Sequence, residues 1–404
     1  MNLKSLMMVF AVLVMSGVSF AGAADPVDVP VVRLAWSEYP SWSTFGVAGV
    51  TKVVRVGNRW VIDKQKGELI INGEKGKLGL VEKKWNADIV LLELKYDPCI
   101  TMFAAGECEA SCLTNMDVEI AASSIDVVAI MPTSTSYGAD ACIVMKDITS
   151  VQQLKDEKIP TYMLDKSVSQ YCFARCLEVL GEKEHLYRIS SVDPEAAANG
   201  LQTGNYKSIV VWNPFVLQTL EVQPQCYVLF DSTLIPGEII DMVHMSKKAL
   251  ESPGGENAAC AIIDAYYIIC ELLADPESQD ETLFALGEKF SDLNVASMKK
   301  VVRQTRFYAT PEQGKALFTN GVVFPWDRKV ANTTDLFTNK GFDPKSKDVT
   351  NKTLKDIMPI VTNFCVKYQI VDQAPTLGYG TKAQASDVQV RFDPTYIQKV
   401  MSNR

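Results

Sequence analysis

ADIVLLELKYDPCITMFAAGECEASCLTNMDVEIAASSIDVVAIM, residues 87–131, changes period several times along its length. Ala87–Leu94 is a continuous apolar run of strand length. Asp97–Ala105 has helical spacing and stops at Gly106. Glu109–Leu113 and Ile125–Met131 are again short apolar runs. Runs of this length with no polar face suit strands covered on both sides, and strands alternating with helices give an α/β fold with largely parallel sheets.

The same rhythm continues outward. Toward the N-terminus, Val31–Trp36 (VVRLAW) reads as a buried strand, Ser37–Trp42 (SEYPSW) as a loop, and Thr44–Val54 as a helix. Residues 55–78 look inserted. RWVID and ELIING are short strand patterns separated by Lys, Gln and Gly, with Asn72-Gly73 as a turn signal, so a β-hairpin decorating the first lobe is expected. Toward the C-terminus, Gln152–Lys155 opens a helix before the strand Ile159–Leu164. Ser169–Leu180 is an amphipathic helix stopped by Gly181, and Ser208–Trp212 is a strand closed by Asn213-Pro214. Tyr227–Phe230 is the next strand. From Lys247 the texture becomes helical, with Glu256–Leu273, Asp280–Phe290 and Ser297–Thr305. The chain shows no internal repeat and no low-complexity linker. Two α/β lobes with a helical tail packed on one of them account for this order.

Residues 1–24, MNLKSLMMVFAVLVMSGVSFAGAA, carry one early Lys, an apolar run and the small-x-small sequence Ala21-Gly22-Ala23, the pattern of a cleavable secretory signal. The run is short for a membrane span, and no Cys near the cleavage site offers a lipid anchor. A periplasmic location is expected, which makes ATP and NAD poor candidates as ligands. Net charge is −8, or −9 without Lys4, and disfavours nucleic acid and anionic membranes; it is compatible with attracting a small cation and equally with a surface charge that serves solubility alone. The ten cysteines contain no CxxC, and His185 and His244 stand alone, so no metal site is expected. Most of the cysteines read as small buried hydrophobes, with room for one or two disulfides.

GxSxG, HExxH, Walker A and a strand-borne GxGxxG are all missing, and neither His sits in a catalytic context. The loops after strands are richer, and in an open α/β sheet those loops hold the ligand. The first gives Trp36, Ser37, Glu38, Tyr39 and Trp42, aromatic faces beside a carboxylate, which suits a cation. Packing of these rings under the helix is the competing reading for Trp42. Thr114-Asn115-Met116-Asp117 follows a strand, where Asn and Asp serve equally as helix caps. Thr133–Asp140 (TSTSYGAD) is polar. Ser167-Val168-Ser169 opens a helix, Trp212-Asn213-Pro214 closes a strand, and Asp231–Asp241 (DSTLIPGEIID) holds three carboxylates.

FAAGECEASCLTNMD (103–117), SVSQYCFARCLE (167–178), VVWNP (210–214) and DSTLIPGEIID (231–241), in this order, resemble segments of the periplasmic solute-binding proteins of ABC importers, of the nitrate/sulfonate/taurine-like type. The resemblance runs from about Val31 to Tyr396. It is nearest to the subgroup found beside urea carboxylase systems, described as urea-binding and connected with guanidine uptake; the terminal RFD-TY of Arg391–Tyr396 belongs to the same pattern. The insertion at 55–78, the many cysteines and Gln170, where a His is common, depart from it.

The resemblance implies a two-lobed type II binding-protein fold with two interlobe crossovers and hinge closure on the ligand. Lobe one is expected at 28–132 plus 236–404, and lobe two at 133–235. The implied role is capture of a small guanidinium-like cation for delivery to a membrane permease, by a monomer without cofactor. The expected ligand-binding residues are Trp36, Glu38, Tyr39, Trp42, Asn115, Asp117, Ser169, Tyr171, Trp212, Glu238 and Asp241. Urea or another small amide is the alternative ligand. A fold-related enzyme of the thiamine-pyrimidine synthesis type is the alternative of another class, which a signal and only two His disfavour.

Overall fold

The computed structural model describes residues 29–319, 332–340 and 353–404. The signal reading of residues 1–24 lies outside them. Two β-sheets organise the chain. The larger has eight strands. Seven run in the order 377–379, 390–392, 127–136, 240–246, 110–114, 31–36 and 88–93, and 305–307 pairs with the far end of 127–136. Val31–Trp36 lies parallel between Asp88–Glu93 and Ala110–Thr114, while Ile240–Ser246 runs antiparallel between Ala110–Thr114 and Val127–Ser136. The smaller sheet has the order 189–191, 161–163, 208–212, 140–145, 226–231.

The chain passes between the sheets twice, at residues 137–139 and 232–239. Two sheets with two passages make a two-lobed α/β protein whose helical C-terminal part packs on the larger lobe. The polar stretch at 133–136, expected to begin the first crossover, is instead the end of a strand. Thr135 pairs with Ile240, Ser134 with Asp241, and Ser136 with Thr305. A buried strand end this polar is tolerable because its hydroxyls are partnered. Thr135 Oγ1 donates to the Ile239 carbonyl at 2.6 Å, and Ser136 Oγ meets Ser232 Oγ at 2.7 Å.

The helix expected over Thr44–Val54 covers only Ser43–Ala48. The run KVVRV at Lys52–Val56 forms a strand, as β-branched residues favour, and pairs with Arg59–Ile62 and Glu68–Leu69 in a small third sheet. The insertion therefore starts at Lys52. Its hairpin turn lies at Gly57-Asn58, with Gly57 at φ +61°. At Asn72-Gly73, Gly73 (φ +80°) lets the chain run beside Val90 instead of turning a hairpin. Asp140–Met145 is a central strand of the smaller sheet that the polar approach to it concealed. Pro194–Gln202 and Phe215–Val222 are further helices.

Helix Gly255–Ala274 is apolar along nearly all of its length, with a mean hydropathy of 1.5, and 83% of that window is buried. It is the core helix of the large lobe, facing helices on several sides, which explains an apolar surface all round. All ten cysteines are buried and free, and burial pushes most of their thiols up from the ordinary range. Cys172 and Cys176 share a helix face with sulfurs 4.0 Å apart and no bond between them.

Candidate functional site

The carboxyl ends of strands Val31–Trp36, Asp88–Glu93 and Ala110–Thr114 point toward the smaller sheet, and so does the start of Ile240–Ser246. The smaller sheet answers with the start of Asp140–Met145 and the end of Ser208–Trp212. Between them lies a cavity of ≈ 560 Å³. Its position beyond the strand ends is where such sheets bind ligands.

Of the expected site residues, Glu38, Tyr39, Trp42, Trp212 and Asp241 line this cavity. The loop carrying the first three is held from below. The Tyr39 carbonyl accepts the amides of Trp42 (3.0 Å) and Ser43 (2.8 Å), and Ser41 Oγ meets the hydroxyls of Thr133 (2.9 Å) and Ser134 (2.8 Å). Trp42 stacks on Tyr96 with centroids 5.4 Å apart and tilts against Tyr39 at 4.9 Å. On the opposite wall Trp212 packs edge-on to Phe215 at 6.5 Å, just past the cis Asn213–Pro214 bond.

Two buried acids form the inner wall. Asp241 is 1% exposed and Asp140 is 2% exposed. Asp241 accepts from Ser134 Oγ and lies beside Tyr39, whose phenol is held well above its usual range by burial and then by the charges of Asp241 and Asp140. Burial raises both carboxyls, Asp140 to about 7, and Asp140 adds to the rise at Asp241. Asp140 stands in register with Trp212, so acid and ring project from neighbouring strands.

The other expected residues lie elsewhere. Trp36 is 1% exposed and packs over Gly46, beneath the loop it was expected to serve from above. Asn115 is used up by the backbone: its amide donates to the Glu238 carbonyl at 3.1 Å, and its carbonyl oxygen accepts from Ile240 at 3.0 Å. Asp117 accepts from Tyr96 and, at 2.6 Å, from Thr114 Oγ1, so it backs the cavity wall without forming it. Ser169 is buried inside helix Val168–Val179; the helix cap is Ser167, whose Oγ accepts the Ser169 amide at 3.1 Å.

Glu238 and Tyr171 belong to a buried cluster beside the second crossover. Arg175 grips Glu238 with Nε at 2.9 Å and Nη2 at 3.0 Å, and the Tyr171 hydroxyl donates to Glu238 at 2.9 Å. A carboxylate so paired within the protein is not offered to the cavity.

Several lining residues escaped the sequence reading. Tyr96 and Asp97 follow directly on the strand at 88–93, and Asp193 and Glu195 open the helix Pro194–Gln202 after the strand at 189–191. Their signal was the general one, a polar loop after a strand. His185 is exposed in a short 3₁₀ turn. His244 is fully buried in its strand. Neither lines the cavity, and no group of His, Cys, Asp and Glu among the described residues is arranged to hold a metal ion.

No family model matches the chain, and no curated protein does. Many solved structures share its fold. The periplasmic sulfonate-binding protein SsuA from Methylobacillus flagellatus KT superposes with a TM-score of 0.57 at 15% identity, covering 93% of this chain and 95% of its own. The aliphatic sulphonate binding protein SsuA from Escherichia coli gives 0.53 at 15%, covering 80% and 91%. The alkanesulfonate-binding protein SsuA from Xanthomonas axonopodis pv. citri, bound to MOPS, gives 0.51 at 14%, covering 70% and 87%. At these identities the likeness speaks for architecture alone: this chain has the two-lobed fold of the periplasmic binding proteins.

Proposed function

We propose that this protein is the periplasmic solute-binding component of an ABC importer, and that it captures a small organic cation of guanidinium type between its lobes. It acts as a monomer that hands the ligand to a membrane permease. One observation carries the choice of ligand. Seven carboxylates line the cavity, of which Glu93 is ion-paired with Lys289 at 3.7 Å, against a single lining base, Lys95. Sulfonate or nitrate, with its charge buried, needs donors and positive charge, and this wall supplies acceptors. The rings of Tyr39, Trp42 and Tyr96 add faces that attract a flat, weakly hydrated cation. Urea has the same shape without the charge, so it gains no charge attraction that would hold the two buried acids ionised.

The experiment is a thermal-shift and calorimetric comparison of guanidine, methylguanidine, urea, taurine and nitrate. A ligand at a hundred times its Kd stabilises by about 2.7 kcal/mol. Guanidinium compounds are expected to raise the melting temperature and the anions to leave it unchanged. Urea binding as tightly as guanidine, or stabilisation by taurine or nitrate alone, would overturn the reading.

A further inference from the structure

We propose that the ligand is an elongated dication. One cationic head sits on the inner acids, an aliphatic spacer runs along the rings, and a second ammonium lies between acids on the rims of the two lobes. The proposal rests on the cation reading above and specifies its substrate class.

The cavity is large for a lone guanidinium. A cation of four heavy atoms needs the room of two or three waters, at about 30 Å³ each, whereas the space between the lobes is ≈ 560 Å³. Cavities of this size ordinarily enclose ligands with many more atoms.

The order of side chains along each wall is the second observation. On the large lobe Asp241 lies at Tyr39, Tyr39 contacts Trp42 at 4.9 Å, and Trp42 stacks on Tyr96 at 5.4 Å. The residue after Tyr96 is Asp97, exposed at the mouth of the cavity. On the small lobe Asp140 stands beside Trp212, and Trp212 contacts Phe215. The helix that Phe215 begins packs on the helix opened by Asp193 and Glu195, both exposed and both lining the cavity. Each wall thus reads buried acid, rings, exposed acid, with exposed Lys95 near Asp97 on the large-lobe rim and no base lining the small-lobe rim among the described residues.

Two lobes that bring acidic rims together on closing repel each other, and a positive group lodged between the rims removes that cost. An inner head alone leaves the repulsion in place. The rim acids are solvated, so their contribution is modest and sensitive to salt.

The test is calorimetry with guanidine, butylguanidine and 4-aminobutylguanidine, on the wild type and on the double variant Asp193→Asn/Glu195→Gln. Asp193 accepts the Glu195 amide at 2.9 Å as a helix cap, a role Asn also performs, and a melting curve checks that the variant is folded. At low salt the aminobutyl compound is expected to bind up to about fivefold tighter than butylguanidine. That ratio should fall in the double variant, where Asp97 alone remains of the rim acids named, and approach one at high salt. Equal binding of the two alkyl compounds to the wild type, or the same ratio in both proteins, would overturn the dication. So would guanidine binding while both longer compounds are excluded, an outcome that leaves the cation reading standing. Failure of all three to bind refutes the cation reading itself, and this proposal with it.

Discussion

Replacing Asp140 by Asn separates what this carboxyl costs the fold from what it contributes to binding. Asp140 is 2% exposed at the start of its strand, and burial, with some repulsion from Asp231, holds its carboxyl up at about 7. In the unfolded chain an aspartate titrates near 4. Between those values the folded protein binds a proton that the unfolded chain does not, so stability is present at low pH and falls as pH rises toward 7. The slope is about 1.4 kcal/mol per pH unit, and the loss is complete above 7, where it reaches about 4 kcal/mol. Asn carries no charge to desolvate. The ligand-free Asp140→Asn variant should therefore be more stable than wild type at pH 8 by up to about 4 kcal/mol, and by less than about 2 kcal/mol at pH 5. Guanidinium binding should move the other way. Losing a charged hydrogen bond costs about 1.5–3 kcal/mol, a weakening of tenfold or more. In the wild type the affinity should itself fall about tenfold per pH unit below 7, because the cation must displace the proton. Urea unfolding at both pH values and calorimetry at pH 8 read these quantities. A variant less stable than wild type at pH 8, or one with unchanged affinity, would refute the assignment of Asp140 to a strained and functional position.

Arg175→Met should destabilise by about 3–5 kcal/mol in urea unfolding, because it strands Glu238, which is 0% exposed, without its bidentate partner; a loss under about 1 kcal/mol would show that the cluster is not a structural pin. His244 is fully buried, and burial lowers it to about 3, so below its ordinary value the unfolded chain takes up a proton that the folded protein refuses. Stability should fall as pH drops from about 6.5 toward 3, by about 2 kcal/mol at pH 5, opposite in sign to the Asp140 effect. His244→Met should remove that slope, and an unaltered difference between the pH 5 and pH 7 unfolding energies would contradict it.

Strands were legible where the apolar run was unbroken. Ser208–Trp212 lies where its sequence puts it, and the runs at 31–36 and 88–93 differ from expectation by a residue at most. The errors share a cause, the side chains of distant segments. Thr133–Ser136 looks like a loop because hydroxyls are polar, and it is a strand because Ile239, Ser232 and Asp241 absorb them. KVVRV continues a plausible helix on paper, and Gly49 together with two partner strands decides otherwise. The aromatic loop 36–42 shows the same limit at the site. Trp36 and Trp42 are one residue type in one loop, yet one packs under it and the other faces the cavity.

The carboxylates make the sharper case. DSTLIPGEIID offers three acids, and counting them treats each as available. Glu238, in the second crossover, is neutralised by Arg175, which lies 63 residues away on the helix Val168–Val179, and no local pattern announces that pairing. Asp241, three residues further on, has hydroxyl donors and no cation from the protein, and it lines the cavity. Charge in a loop is therefore a poor guide to ligand, and charge left over after the protein has paired its own groups is a better one. By that measure the inner wall keeps Asp140 and Asp241, both displaced upward by burial, and among the described residues no salt bridge reaches either. The pocket follows from where the strand ends of the two sheets meet; the proposed preference for a cation rests on those two acids, which hold hydroxyl partners at most and no protein cation.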